Sequence, residues 1–388
     1  MFRPKGTDRL ADEPLFKSFF MAGFECATHR RRDGRRLDLL AATGHDRLAA
    51  SDYRTVAGLG LRTIRDGFRW HLIEQAPGVY DWSSVLPMLR AAREANVQVI
   101  WDLCHFGWPD DIDIWSPDFV ERFACFSAAA AELVVAESDG IPVFCAVNEM
   151  SFLAWAGGDV AAINPCARQR GRPLKEQLVR ASVSAIDAIR AVQPASRFLY
   201  AEPAIHIHSY SRSAAVRRAA EMYRLAQFEA LDMMAGRVAP ELGGREDLID
   251  IVGLNYYPRN QWLHRSSTLP LGHHGYRPFS EILQETFARY RRPIVIAETG
   301  AERSARSSWL HYVCAEVRRA RAEGVPVEGI CLYPVLDYPG WDDGRLCETG
   351  LLTMPDERDE RSLHAEFADE LAHQQARFAE TTSRSGRG

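Results

Sequence analysis

The feature that most constrains this chain is an alternation of eight short apolar runs with longer segments of helical period. The runs occupy 19–24, 61–65, 97–103, 142–147, 197–201, 248–254, 293–297 and 327–332. Runs of that length, each followed by a helical segment, read as repeated β/α units around a parallel sheet. The clearest helical segment, 83–95, carries Val85, Leu86, Leu89 and Ala92 at helical spacing and begins beside Asp81 and Ser83, which are good capping residues. Segments 117–137, 174–192, 213–234 and 305–323 have the same character. Gly58-Leu59-Gly60 before the second run and Gly324 before the eighth suit helix C-caps.

Two parallel architectures compete for such a pattern. A doubly wound sheet usually offers a glycine-rich phosphate loop after its first strand, whereas 19–24 leads into Glu25-Cys26-Ala27-Thr28. A (β/α)8 barrel needs roughly 250 residues and often carries insertions, which a chain of 388 residues accommodates. No linker, low-complexity stretch or composition break divides the sequence. The expectation is therefore an α/β fold: a single (β/α)8 TIM barrel over 1–380, with a disordered Ser/Arg/Gly-rich tail at 381–388. Segments 150–172 and 258–277 would then be long loops on the C-terminal face of the barrel, where sites are built. Trp155 and Trp262 lie in them, suited either to stacking on a ring or to plain packing.

A formal charge of −5 points to neither nucleic acid nor membrane as a partner. The eight cysteines form no C-x-x-C pair, and Cys145 sits inside an apolar run, so they read as buried free thiols in a reducing compartment. The N-terminus lacks an apolar signal core, and no stretch approaches about 18 apolar residues, which points to the cytoplasm. His206 and His208 have a spacing that can bind zinc, but no further ligand beyond nearby Glu202 is evident. Together with His273-His274 they read as surface or substrate-binding groups. No metal and no cofactor is expected.

Polar residues that end or follow the apolar runs would project into the mouth of a barrel: Glu25, Arg65, Asp102, His105, Asn148, Glu149, Glu202, Asn255, Tyr257, Glu298 and Asp337. Two carboxylates stand out. Glu149 ends the run Val143-Phe144-Cys145-Ala146-Val147-Asn148-Glu149, and Glu298 ends Ile294-Val295-Ile296-Ala297-Glu298. Strands four and seven face each other across a barrel mouth. Cleavage of a glycosidic bond needs one carboxyl to protonate the leaving oxygen and a second to attack the anomeric carbon or activate water.

With these residues in view, the sequence resembles glycoside hydrolase family 1, the β-glucosidase-like members of the (β/α)8 clan of retaining glycosidases. The resemblance runs from Phe20 to about Leu352. Gly60-Leu61-Arg62-Thr63-Ile64-Arg65 is similar to the family's second strand, whose arginine supports the nucleophile. Trp101-Asp102-Leu103-Cys104-His105 looks like the segment bearing its sugar-binding histidine. Asn148-Glu149-Met150 resembles the acid/base motif, in which the asparagine contacts the sugar 2-hydroxyl. Val252-Gly253-Leu254-Asn255-Tyr256-Tyr257 is similar to strand six, where the second tyrosine touches the nucleophile, and Ala297-Glu298-Thr299-Gly300 resembles the nucleophile motif, with threonine in place of asparagine. The resemblance implies a retaining β-glycoside hydrolase with Glu149 as acid/base and Glu298 as nucleophile, supported by Arg65, Asn148, Asn255 and Tyr257. A transglycosidase would use the same residues, and a barrel that binds carbohydrate without cleaving it is the alternative from another class.

The sugar-gripping positions depart from the family. Glu25, Arg30 and a neighbouring histidine occupy the stretch where members carry a glutamine. Tyr333 replaces a tryptophan, and Gly340, just before Trp341, replaces the glutamate that grips the 4- and 6-hydroxyls. Losing that acceptor weakens discrimination for glucose or galactose. His105, Tyr333, Trp341, Glu25, Arg30 and Trp155 form the expected substrate-binding set. The basic run His29-Arg30-Arg31-Arg32-Asp33-Gly34-Arg35-Arg36 in the first βα loop reads either as a solvated loop or as contact with an anionic sugar or polymer.

Overall fold

The computed structural model describes residues 14–385. Its centre is a closed barrel of eight parallel strands: β1 (Phe20–Gly23), β2 (Thr63–Gly67), β3 (Gln98–Cys104), β4 (Val143–Val147), β5 (Arg197–Pro203), β6 (Ile251–Asn255), β7 (Ile294–Thr299) and β8 (Val327–Leu332). Every strand pairs with its neighbours in sequence, and β1 closes on β8 through Phe20 opposite Ile330. The eight apolar runs are these eight strands. The fold is a single (β/α)8 barrel.

Helices cover the outside: α1 (His45–Gly58), α2 (Leu86–Glu94), α3 (Pro117–Glu137), α4 (Gly171–Val192), α5 (Ala214–Leu225), α6 (Phe279–Tyr290), α7 (Ala305–Ala322) and α8 (Ala365–Ser385). The predicted caps form. Gly60 takes φ +83° and Gly324 φ +87°, left-handed values that a side chain would resist. Asp81 accepts the Ser83 N–H at 2.9 Å, but on a 3-10 turn that precedes α2 rather than on the helix itself. α8 continues to Ser385, into the segment expected to be disordered from 381; the rest of that segment lies outside the described residues.

Strand parity assigns each side chain a layer. Met21, Ile100, Val143, Cys145, Leu199, Ala201, Ile251, Val295, Ala297 and Cys331 point inward and fill the barrel as one apolar cluster. Glycine makes room for the larger members: a Cβ at Gly329 would lie 2.2 Å from the end of Met21, and one at Gly23 would lie 2.1 Å from the Tyr333 ring. Residues of opposite parity pack under the helices, as Ile64, Leu103, Phe144 and Ile296 do. The thiols are less uniform than expected, since Cys125 and Cys166 are exposed while the other six are buried. Among the described residues, no helix is long and apolar enough to cross a membrane.

Of the two long C-terminal-face segments, the first forms a helical turn, Met150–Leu153, continued by a wider turn at Ala154–Asp159. The second contributes a short strand, Gln261–Leu263, which pairs with His206–His208. Trp262 there packs edge-on against Tyr223 of α5.

Candidate active site

The barrel mouth is organised by one guanidinium. Arg65 has inward parity on β2 and is fully buried, so every donor needs a partner. Its Nε and Nη2 grip the two oxygens of Asp102 at 3.0 and 2.7 Å, Nη1 reaches Glu298 Oε1 at 2.7 Å, and Nη2 also reaches Asn148 Oδ1 at 2.6 Å. Burial alone would lower the Arg65 pKa, but Asp102 and Glu298 outweigh it and hold the group well above its ordinary value. Burial likewise works to raise Asp102, and Arg65 with His105 overcomes that and holds it below the ordinary carboxylate range. Removing the shared cation, Arg65, would leave its carboxylates charged and unpaired, at a cost of about 3–5 kcal/mol.

The same cluster fixes the orientation of two amphoteric groups. His105 Nδ1 lies 2.9 Å from Asp102 Oδ2, which leaves Nε2 to accept from Asn148 Nδ2 at 3.0 Å. Asn148 Oδ1 faces Arg65, so its amide can be turned only one way. Cys26 Sγ sits 3.2 Å from His105 Nδ1. Cys26, Asp102 and His105 are the one trio among the described residues close enough to share a metal. Asp102 is already saturated by a cation that would repel a second one, so the trio does not fit a metal.

The two glutamates differ in how they reach the mouth. Val295 and Ala297 are both inward, so regular alternation would turn Thr299 inward and Glu298 outward. β7 instead shifts register between Ile296 and Glu298 against β6, and between Ile296 and Thr299 against β8. That irregularity turns Glu298 toward Arg65, as bulges commonly re-aim side chains at sites. Thr299 is then free to brace the outer layer, donating to Tyr256 O at 2.7 Å and accepting from Trp309 Nε1 at 2.9 Å. The second Glu298 oxygen accepts from Tyr257 Oη at 2.8 Å.

Glu149 arrives by strain. It takes φ +43°, a left-handed conformation costly for a residue with a Cβ, and it donates its N–H to Ala201 O at 2.9 Å. Asn255 Nδ2 donates to Glu149 Oε1 at 2.8 Å, and Asn255 Oδ1 is buried without a protein partner. Burial, then the Glu298 charge, pushes the Glu149 carboxyl well above its ordinary value, against the opposing Asn255 hydrogen bond.

Glu25 completes the inner ring. One oxygen accepts the Ala27 N–H at 3.1 Å and lies 3.8 Å from His105 Nε2. Burial raises its pKa, with Glu298 adding and His105 opposing. Tyr333 is buried, parallel to the His105 ring at 6.1 Å and under the Arg65 guanidinium at 5.4 Å. Above them runs an aromatic wall. Phe106, itself at φ +68°, meets His105 at 4.7 Å and Trp341 at 5.7 Å, and Phe152 links Trp341 to Trp155.

Nine of the expected site residues thus converge: Glu149, Glu298, Arg65, Asn148, Asn255, Tyr257, His105, Tyr333 and Glu25. Trp341 joins through Phe106, and Trp155 stands at the rim, 46% exposed. Arg30 does not join. It pairs with Asp110, which also takes Arg36, and donates to Gly34 O at 2.7 Å. Asp337 is also elsewhere, accepting the Gly350 N–H at 2.7 Å to close the loop after β8. His29, read as part of a basic run and as the histidine beside Arg30 where the family carries a glutamine, is fully buried against Trp341 with neither ring nitrogen bonded, and burial lowers its pKa to about 3. Nothing in the local sequence marks it as neutral; its burial comes from the aromatic wall.

No family model matches the chain, and no curated protein does. Solved structures do. A β-glucosidase from Thermotoga maritima in complex with glucoimidazole superposes with a TM-score of 0.75 at 16% identity, covering 94% of this chain and 98% of that one. A family 1 β-glucosidase from the same organism gives 0.72 at 18% identity, over 85% and 86% of the two chains. A hyperthermophilic β-glucosidase mutant gives 0.74 at 16%, over 93% and 100%. At these identities the likeness establishes the shared barrel fold.

Proposed function

We propose that this protein is a retaining β-glycoside hydrolase that works through a covalent glycosyl-enzyme intermediate, with Glu298 as nucleophile and Glu149 as acid/base. The observation that carries the reading is the contrast between two glutamates in one mouth. Glu298 is clasped through both oxygens by Arg65 and Tyr257, while burial and the Glu298 charge favour the protonated form of Glu149. In the first step Glu149 gives its proton to the glycosidic oxygen as Glu298 attacks the anomeric carbon. The ester that forms removes the neighbouring negative charge, so the Glu149 carboxylate is now stable and can take a proton from the incoming water.

Asn148 is suited to the 2-hydroxyl of the bound sugar. His105, Glu25, Tyr333 and Trp341 are suited to its far edge, with Glu25 offering from the loop after β1 a carboxylate that Gly340 cannot. The pairing of Arg30 and Arg36 with Asp110 removes two of the cations that an anionic sugar would use. Proton NMR of the first sugar released from a panel of aryl β-glycosides tests the reading. The β-anomer should appear first; initial release of the α-anomer contradicts the mechanism. Adding an acceptor sugar separates hydrolysis from transfer, since a transglycosidase would yield the coupled product. The binding-only alternative draws on the missing acceptor at Gly340, and it predicts no turnover while Glu298→Gln keeps full glycan affinity.

A further inference from the structure

Glu202, one residue before the end of β5, takes no part in the steps above. Its parity is opposite to that of the inward Leu199 and Ala201, so it lies behind the mouth rather than in it. It is 2% exposed. Both of its oxygens accept the backbone N–H of Ser151, at 3.3 and 3.1 Å. Ser151 lies two residues beyond Glu149, in the turn that leaves the strained φ +43° conformation. The residue before Glu202, Ala201, accepts the Glu149 N–H itself at 2.9 Å. The end of β5 therefore fastens the acid/base segment on both sides of its strained residue.

From this geometry we infer that Glu202 is a positioning residue for Glu149, fixing its turn and keeping a second negative charge behind it. The inference rests on reading Glu149 as the acid.

The charges facing the pair are few. Glu149 meets Glu298, Glu202 and the Arg65 cation, and accepts from Asn255. Glu202 meets Ser151 and Lys175. The Lys175 ammonium is itself taken by Glu229 at 2.7 Å, so it offsets Glu202 only in part. Burial pushes Glu202 up to about 7, against the Ser151 hydrogen bond and Lys175. A simple helix cap on an exposed turn would need neither this burial nor a carboxylate. An amide oxygen could accept the same N–H without placing a charge beside the acid.

Glu202→Gln separates the two roles, because it keeps an acceptor for Ser151 and removes only the charge. The measurement is the titration of Glu149, followed by carbon NMR of carboxyl-labelled glutamate and assigned by the signal lost in Glu149→Gln. The Glu149 acid dissociation constant should rise about tenfold in Glu202→Gln, a midpoint about one pH unit lower. An unmoved midpoint overturns the inference, even if the melting temperature falls. The readout needs no substrate, so it is independent of whether a mechanism-based sugar labels Glu298, on which the wider reading depends.

Discussion

Two buried charge clusters lie on opposite faces of one strand, one residue apart. Arg65 points into the barrel, while Asp66 points out under α1. There His45 is buried with both ring nitrogens against carboxylates, Nδ1 2.7 Å from Asp52 and Nε2 2.8 Å from Asp66. Two acceptors require two donors, so the imidazole is doubly protonated. Arg361 clasps Asp52 at 2.7 Å, Tyr53 donates to Asp66 at 2.6 Å, and Phe24 stacks on His45 at 3.7 Å. Two cations meet two carboxylates, and among the described residues none of these side chains has a buried polar atom without a partner. Such a balanced cluster pins α1, β2 and the segment before α8 together.

The inner cluster is deliberately unequal by comparison. Arg65 is its one guanidinium among four carboxyl groups, Asp102, Glu298, Glu149 and Glu25, with Glu202 behind. Two residues beside it, Phe106 and Glu149, are in left-handed conformations, and Asn255 has an unpartnered oxygen. The lesson is that burial and charge do not separate structural from functional clusters. What sets the inner cluster apart is the combination, in one buried mouth, of an excess of carboxyls, left-handed residues and an unpartnered acceptor, the kind of local cost that clusters at sites.

Substitutions can break that contrast. The largest effect should be on turnover: Glu298→Ala should lower kcat on aryl β-glycosides by at least about 10⁴-fold. Its urea-unfolding stability should change by only about 1 kcal/mol, because an excess carboxylate is lost while Arg65 keeps Asp102. Glu149→Gln should lower kcat/KM about 10²–10⁴-fold on alkyl glycosides and far less on dinitrophenyl glycosides, whose leaving group needs no proton, while kcat falls on both because water is no longer activated. In the outer cluster the pattern should invert. Arg361→Met should destabilise by about 3–5 kcal/mol in urea, leaving His45 as the one cation between two buried carboxylates, with kcat unchanged.

A pH series sharpens the same contrast. Burial works to lower the His45 pKa, but Asp66 and Asp52 overcome it and raise it to about 9. A raised folded-state value means that the stabilisation is complete below the unfolded value of about 6.5 and is lost as pH rises through about 9. Urea midpoints at pH 6 and pH 9.5 should therefore differ by on the order of 2–3 kcal/mol in stability. His45→Asn should flatten that difference. The smallest effect should follow Arg30→Ala, an exposed ion pair, at a few tenths of a kcal/mol and with no change in substrate preference.

How much of this was legible in the sequence depended on parity. The eight apolar runs marked the strands, and alternation along them correctly sends Arg65, Asp102 and Asn255 inward. Glu298 reaches the mouth against its parity, through a shift in register that no single-strand pattern encodes; its place at the end of an apolar run and the resemblance of Ala297-Glu298-Thr299-Gly300 pointed there, while alternation did not. Arg30 failed for the opposite reason. Its charge and its place in a first βα loop suggested a ligand, but its partner Asp110 comes from the loop after β3, a long-range contact invisible in local sequence. Glu202 appeared among the strand-end polar groups without a role, because that role depends on the turn after β4 returning to β5.

The central claim is that Glu298 attacks sugar carbon while Glu149 supplies the proton. Incubation with 2-deoxy-2-fluoro β-glycosides bearing dinitrophenyl leaving groups, across several sugar configurations, followed by peptide mapping by mass spectrometry, tests it most directly. One glycosyl unit should accumulate on Glu298 and nowhere else, and Glu298→Gln should take up none. A label on another carboxylate, or no label with any sugar that the protein demonstrably binds, would contradict the account.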